Sequence, residues 1–166
     1  MYERILVPVD GSPTSNRGLD EAIRLAKLTG ARLRLVHGID QLSFSTGFEI
    51  YTGDVAGLLR ESGEKILGEA RARAAAAGVP VESFLSESFG QRVSDLVLEQ
   101  AGAFHADLIV LGTHGRRGVG RLLLGSDAEQ IVRVAAVPVL LVRDRPTDSA
   151  PKEPAAQKAA APAAVA

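Results

Sequence analysis

The residues with the clearest chemical potential form a glycine-rich stretch at positions 112–126, which reads GTHGRRGVGRLLLGS. Its glycines allow backbone N–H groups to approach an anion closely, because glycine has no Cβ and tolerates positive φ. A helical pattern follows, and the unpaired N–H groups and positive dipole end of a helix N-terminus attract phosphate. The stretch therefore predicts a phosphate site, and a loop whose glycines serve only turning is the alternative.

Two common nucleotide motifs do not fit this stretch. Gly120 and Gly125 have the spacing of a P-loop, but Ser126 stands where the phosphate-clamping lysine belongs. The Rossmann pattern fails as well, because Gly118 and Gly120 are not followed by the third glycine. The sequence therefore predicts neither a P-loop nor a dinucleotide site.

Several polar side chains near the stretch have both a structural and a ligand-binding interpretation. Asp10 could stabilise the turn that it opens, and Ser126 with Glu129 has the S-x-x-E spacing of a helix capping box. We place the ligand role first for both Asp10 and Ser126. His37 and His114 have no nucleophile or metal-ligand spacing beside them, so no catalytic role is assigned to them.

The elements that must position these residues alternate along the chain. Strand-like apolar runs occur at residues 5–9, 33–37, 79–85, 108–111 and 137–142, and helical patterns occur at residues 13–28, 53–77, 93–101 and 128–135. Ser12 has the type of an N-cap for the first helix, and Gly30 ends it. This order predicts an α/β fold, a single-domain open parallel five-stranded sheet with helices on both faces.

Composition excludes several classes of protein. The 166 residues suit one domain, expected over residues 1–145, with an Ala/Pro-rich disordered tail at 146–166. The net charge of -1 disfavours nucleic acid as a partner. Cysteine is absent, and no stretch has the roughly 20 apolar residues of a membrane span, so we expect a cytoplasmic protein that does not bind membranes.

The last apolar run has a property of its own. An edge strand that is apolar on both faces needs a cover, and a second copy of the chain would provide one. The sequence therefore predicts a homodimer through the last strand, formed by Val137, Pro138, Val139, Leu140, Leu141 and Val142.

The glycine-rich stretch resembles the G-x2-G-x9-G-[ST] signature of the universal stress protein family, matched by Gly112, Gly115, Gly125 and Ser126. The resemblance extends to residues 4–12, 106–112 and 137–142 and covers about residues 3–143. It implies the ATP-binding branch of the family, strand order 3-2-1-4-5 and a homodimer.

The resemblance also implies a set of ligand contacts. Pro8, Val9 and Asp10 would flank the base and ribose, with Asp10 accepting a hydrogen bond. Val36 or His37 would line the adenine pocket, and backbone N–H groups would surround the phosphates. The full set of implied nucleotide-binding residues is Pro8, Val9, Asp10, Val36, His37, Leu111, Gly112, Gly115, Arg116, Gly125, Ser126 and Asp127. No metal ligand is assigned among them.

Asp127 departs from the family pattern, which commonly has a small or β-branched uncharged residue there. A carboxylate is favourable at a helix N-terminus, yet beside a triphosphate it is repulsive unless a divalent cation intervenes or the side chain points away. The expected cofactor is therefore ATP, or ADP or AMP, with Mg²⁺ or Mn²⁺ bound through the phosphates.

The resemblance, taken with the glycine-rich stretch, implies a dimeric stress-response module that binds an adenine nucleotide and regulates other proteins. A weak ATPase or self-phosphorylating enzyme is the first alternative, although no general base is evident beside the loop. A nucleotide-free dimeric scaffold, with purely structural glycines, is the second.

Overall fold

A computed structural model of the chain describes residues 1–39, 55–87, 90–113 and 125–143. Strands and helices alternate throughout this part, as the apolar runs predict. The elements are β1 (Arg4–Pro8), α1 (Pro13–Thr29), β2 (Arg32–Gly38), α2 (Val55–Ala76), β3 (Val81–Ser86), α3 (Val93–Phe104), β4 (Leu108–Gly112), α4 (Ser126–Val134) and β5 (Val139–Val142).

The strands form one parallel sheet with the order β3-β2-β1-β4-β5. Strand β1 lies at the centre, where Ile5 is in register with Leu33 of β2 and with Leu108 of β4. Near-continuous apolar strands occupy the middle of the sheet because both of its faces are covered. The predicted fold class and strand order are confirmed.

Two hydrophobic cores lie on opposite faces of this sheet. Helices α1 and α2 bury one face, with Leu19, Ile23 and Leu67 packed against alternate residues of β1, β2 and β4. Helices α3 and α4 bury the other, where Val97 and Ile131 pack against the remaining strand residues. The alternation of side chains along each strand thus divides the apolar residues between the two cores.

The ends of the elements follow from local chemistry. Ser12 caps α1 and Pro13 is its first residue, while Gly30 closes the helix with φ 76°, a conformation that suits glycine. Strands β3 and β5 begin one residue after Pro80 and Pro138, later than the apolar runs predict. Proline has no N–H and cannot donate a hydrogen bond within the sheet, so each strand begins at the next residue. The proline carbonyl can still accept, and that of Pro138 accepts from the Ile109 N–H at 3.0 Å.

The predicted tail at 146–166 lies outside the described residues, so the domain boundary at residue 145 stays a prediction. None of the helices in the described ranges combines the length and the apolar character needed to cross a membrane.

Candidate functional site

The carboxyl ends of β1 and β4 meet at the point where the strand order reverses. The chain leaves β1 toward α1 on one face of the sheet and leaves β4 toward α4 on the other face. In open α/β sheets a crevice forms at such a switch point, outside the carboxyl ends of the strands. The N-termini of α1 and α4 therefore flank the position where the sequence predicts a ligand.

A closed network of three short polar residues shapes the turn after β1. The Asp10 carboxylate accepts from the Ser12 N–H at 2.8 Å, and the Ser12 hydroxyl accepts from the Ser15 N–H at 3.2 Å. The Ser15 hydroxyl in turn accepts from the Asp10 N–H at 3.1 Å. The structural interpretation of Asp10 as a turn residue is thus confirmed. Its bond with the Ser12 N–H holds the carboxylate at the end of β1.

Ser15 was not predicted as part of the site. It is buried, and its hydroxyl lies 3.5 Å from the carbonyl oxygen of Pro8, the last residue of β1. The signal in the sequence is the spacing D-x-S-x-x-S at residues 10–15, in which each side chain can reach the backbone of another.

Helix α1 and strand β4 make unusually close backbone contact near the switch point. A Cβ on Gly112 would lie 2.7 Å from the carbonyl carbon and oxygen of Thr14, and one on Gly18 would lie 3.2 Å from the Gly112 nitrogen. Such distances exclude a side chain at position 112 unless the helix moves. Gly112 is therefore required by packing, whatever it also does for a ligand.

Backbone hydrogen bonds of Thr113 join the end of β4 to the start of α4. Thr113 is buried, and its carbonyl accepts from the Gly125 N–H at 2.9 Å, while its own N–H donates to Val142 of β5 at 3.0 Å. These bonds fix the start of α4 beside the end of β4. Thr113 is a second site residue that sequence reasoning missed, because its contribution is made by its backbone.

The alternative interpretation of Ser126, as the cap of a capping box with Glu129, is wrong. Gly125, which has no side chain, is the N-cap of α4, and Ser126 is the first residue of the helix and is exposed. Glu129 forms an ion pair with Arg133 at 2.7 Å instead of returning to the helix start. The cap shifted by one residue because Gly125 is held by Thr113, so the Ser126 hydroxyl does not serve as a cap.

Asp127 turns toward a different helix. Its Oδ1 accepts from the Ser94 N–H at 3.2 Å, at the start of α3, where the N-cap residue Arg92 provides no side-chain bond. The carboxylate therefore satisfies a backbone donor of α3. A side chain that points away from the phosphates is one of the two conditions under which Asp127 is compatible with a bound triphosphate, the other being an intervening divalent cation.

The two residues predicted to line an adenine pocket lie on opposite faces of β2. The Val36 side chain is 1% exposed and packs in the α3 and α4 core, together with Leu111. The His37 ring faces α2, with a Cβ on Gly63 placed 3.1 Å from its Cδ2, and its Nδ1 lies 2.6 Å from the Val9 carbonyl oxygen. Nδ1 is the donor in this bond, since a carbonyl can only accept.

The structure thus brings together the ends of β1 and β4 and the start of α4. This group contains Pro8, Val9, Asp10, Leu111, Gly112, Gly125, Ser126 and Asp127. Gly115 and Arg116 lie outside the described residues.

Solved structures with the same fold include the hypothetical protein MJ0577, with a TM-score of 0.77 over 88% of this chain and 99% of that chain, at 24% identity. A universal stress protein solved in complex with cAMP is 29% identical, with a TM-score of 0.62 over 86% of this chain and 97% of that chain. Universal stress protein MJ0531 of Methanocaldococcus jannaschii is 33% identical over 148 residues, 86% of this chain and 83% of the relative.

A sequence model of the family described as "Universal stress protein family" matches residues 1–143, which include every described strand and helix. The chain therefore belongs to the universal stress protein family.

Proposed function

We propose that this chain binds an adenine nucleotide, ATP included, at the carboxyl ends of β1 and β4, and that it acts as a cytoplasmic homodimeric regulatory module. The phosphates would lie against the first turn of α4, and the ribose beside Asp10. Nucleotide binding would thereby change a surface that other proteins contact.

The observation that carries this proposal is the start of α4. Glu129 is the first residue whose N–H bonds back into the helix, to the Gly125 carbonyl at 2.8 Å. The N–H groups of the preceding turn are those that a helix cannot satisfy internally. The N-cap residue, Gly125, has no side chain to cap them, and Ser126 is exposed next to the end of β4. This is the arrangement that favours an anion.

A relative adds independent support for the class of ligand. The universal stress protein with 29% identity and a shared fold was solved with cAMP, an adenine nucleotide. The described residues present no group of three or more His, Asp or Glu side chains placed to bind a metal. We therefore expect Mg²⁺ or Mn²⁺, where present, to be held chiefly by phosphate oxygens.

The homodimer proposal is supported by the β5 edge. All four residues of β5 are half-buried, although they are apolar, and Val132 and Val134 of the adjacent α4 are 46% and 52% exposed. Unpaired backbone groups next to an apolar surface form a template for another strand. A second copy of the chain would cover both features at once.

Calorimetric titration of the full, nucleotide-stripped chain with ATP and magnesium, ADP, AMP and cAMP tests the nucleotide proposal. Two matched variants, Ser126→Asn and Ser126→Asp, differ by one charge at nearly equal size. We expect the parent and the Asn variant to bind. The Asp variant should bind at least about tenfold more weakly, because its carboxylate lies where a phosphate would, while it keeps or gains stability at a helix N-terminus.

Each alternative predicts a different result. If the parent bound none of the four nucleotides, the scaffold hypothesis would replace this proposal. Equal affinities of the Asn and Asp variants would place the phosphates elsewhere. Turnover of ATP that persists through purification and is lost in Asp10→Ala would favour the enzyme hypothesis.

A further inference from the structure

Helix α3 begins without a cap of its own. Its N-cap residue, Arg92, makes no side-chain bond to the first turn, and the Leu96 N–H is the one that bonds back, to the Arg92 carbonyl at 3.1 Å. The Ser94 N–H is satisfied from outside the helix, by the Asp127 carboxylate of α4 at 3.2 Å. The order of the first turn of α3 therefore depends on a residue of another helix.

The same carboxylate belongs to the first turn of α4, which begins at Ser126. Asp127 thus lies between two helix N-termini, and each of them carries a partial positive charge. Neither of the two N-cap residues, Arg92 and Gly125, contributes a side-chain hydrogen bond to its helix. The carboxylate therefore bonds to α3 while its residue lies in the first turn of α4, and a second anion at α4 changes the electrostatic balance between the two helix N-termini.

Ser94, whose N–H the carboxylate accepts from, also has a buried hydroxyl. Ser94 is 1% exposed, and its Oγ has no hydrogen-bond partner among the described residues. An unmet buried donor costs free energy, and a carboxylate can accept from more than one donor. A small shift of Asp127 toward α3 would shorten its 3.2 Å bond to the Ser94 N–H.

We propose that Asp127 is a positioning residue that couples nucleotide binding at the start of α4 to the order of the first turn of α3. This inference rests on the proposed function. The first turn of α3 presents Arg92, Val93 and Asp95 on the surface. Two oppositely charged side chains thus flank the apolar side chain of Val93, which is 37% exposed. Nucleotide binding would thus change the order of this surface, which another protein could contact, on the helix next to the binding site.

The direction of the coupling follows from charge. A phosphate at the start of α4 supplies the negative charge that the helix favours and repels the Asp127 carboxylate. The nearest favourable position for that carboxylate is the start of α3, where it already accepts from Ser94. Bound nucleotide should therefore strengthen the cap and slow amide exchange in the first turn of α3.

The test is hydrogen exchange of the Ser94 amide, measured by NMR on the full chain with and without saturating ATP and magnesium. Calorimetry on the same samples establishes binding. We expect ATP to slow this exchange at least about threefold in the parent. The Gly30 amide, which bonds Ala26 at 2.8 Å at the far end of α1, should be unchanged and provides the internal reference.

Two variants separate the cap from its charge. Asp127→Asn keeps the acceptor oxygen and removes the charge, so its ligand-free exchange should match the parent while the response to ATP shrinks. Asp127→Ala removes the acceptor, so its Ser94 amide should exchange faster without ligand and should not respond to ATP. If Asp127 only capped α3, the two substitutions would change the exchange of the Ser94 amide without ligand, and ATP would not change this exchange even in the parent.

The outcomes distinguish the two proposals. Binding of ATP with unchanged Ser94 exchange in the parent overturns the coupling and leaves the proposed function intact. An equal response to ATP in the parent and in Asp127→Ala also overturns it. If calorimetry detects no nucleotide binding at all, both proposals fail together.

Discussion

The N–H of Gly125 donates to the carbonyl of Thr113 at 2.9 Å, so the residue before α4 lies beside the residue that follows β4. This single bond places the start of α4 at the switch point of the sheet. Since Gly125 has φ -61° and ψ 145°, its backbone lies in a region open to any L-residue. The turn itself therefore does not require glycine at this position.

Gly125→Ser tests whether the glycine is needed for the fold or for space beside the proposed phosphates. Serine is a better N-cap than glycine, so we expect the free energy of unfolding to be unchanged or to rise by a few tenths of a kcal/mol. Nucleotide affinity should nevertheless fall, because the added Cβ and hydroxyl occupy the space beside the proposed phosphates. Chemical denaturation and calorimetric titration of the same protein measure both quantities. Unchanged affinity would contradict a phosphate contact at Gly125.

Gly112 is constrained by packing rather than by its dihedral angles. In Gly112→Ala the new Cβ would lie 2.7 Å from the Thr14 backbone, and relief requires that α1 move away from β4. We expect a loss of about 1–3 kcal/mol in the free energy of unfolding, typical of overpacked sites. Because Thr14 lies in the first turn of α1, nucleotide affinity should fall as well.

Gly68→Ala is the matched control for this substitution. Gly68 lies within α2, and a Cβ there meets nothing within 4 Å. Alanine is favoured over glycine in a helix interior, so this variant should gain about 0.5–1 kcal/mol in the free energy of unfolding. Equal effects of the two alanines in thermal or urea unfolding would contradict the close contact between α1 and β4.

The fold was predictable from the sequence because its determinants are local. Apolar runs separated by helical periods, with Ser12 before α1 and Gly30 after it, are sufficient to predict alternating elements and a parallel sheet. The boundaries of β3 and β5 were less predictable, since the bonding of a strand end depends on its neighbour in the sheet.

The details of the site depended on contacts between distant residues. The alternative interpretation of Ser126 as a capping-box residue does not hold, because Thr113 fixes Gly125 as the cap, and the bond between Asp127 and Ser94 joins two helices. No periodicity or short motif encodes either contact. Backbone groups such as the Thr113 carbonyl are present in every residue, so only the three-dimensional structure reveals which of them matter.

The Asp10 carboxylate can be tested for a ligand role separately from its role in the turn. Asp10→Asn retains an oxygen that can accept from the Ser12 N–H, the bond observed at 2.8 Å. We expect its free energy of unfolding to stay within about 0.5 kcal/mol of the parent. Its nucleotide affinity should fall about tenfold if the charged carboxylate accepts from a ribose hydroxyl, the strength of a charge-assisted bond.

Asp10→Ala provides the comparison, because it removes the turn bond as well. Its unfolding free energy should fall by about 1 kcal/mol, the usual cost of losing such a bond. If Asp10→Asn bound nucleotide as tightly as the parent, the residue would serve the turn alone.

The Ser94 hydroxyl should contribute nothing favourable to the ligand-free fold. It is buried without a partner among the described residues, so Ser94→Ala removes an unmet polar group and keeps the amide that Asp127 caps. We expect the free energy of unfolding to be unchanged or to rise by up to about 1 kcal/mol. A loss of more than about 1 kcal/mol in urea denaturation would mean that the hydroxyl is bonded in solution.

The β5 edge is the surface on which the homodimer proposal depends. Val134 lies 52% exposed at the end of α4, so Val134→Lys adds a charge without disturbing either core. We expect this variant to dissociate at concentrations where the parent is dimeric, because an unpaired charge buried in an apolar interface is unfavourable. Sedimentation equilibrium measures the shift in the dimer dissociation constant.

Two controls show which edge of the sheet is used. Leu28→Lys makes the same kind of change at an 80% exposed position near the end of α1, and it should leave the dimer intact. Phe84 is 40% exposed on β3, the opposite edge strand. If Phe84→Lys dissociated the dimer and Val134→Lys did not, the interface would lie at β3 instead of β5. A parent that sediments as a monomer would contradict the homodimer proposal.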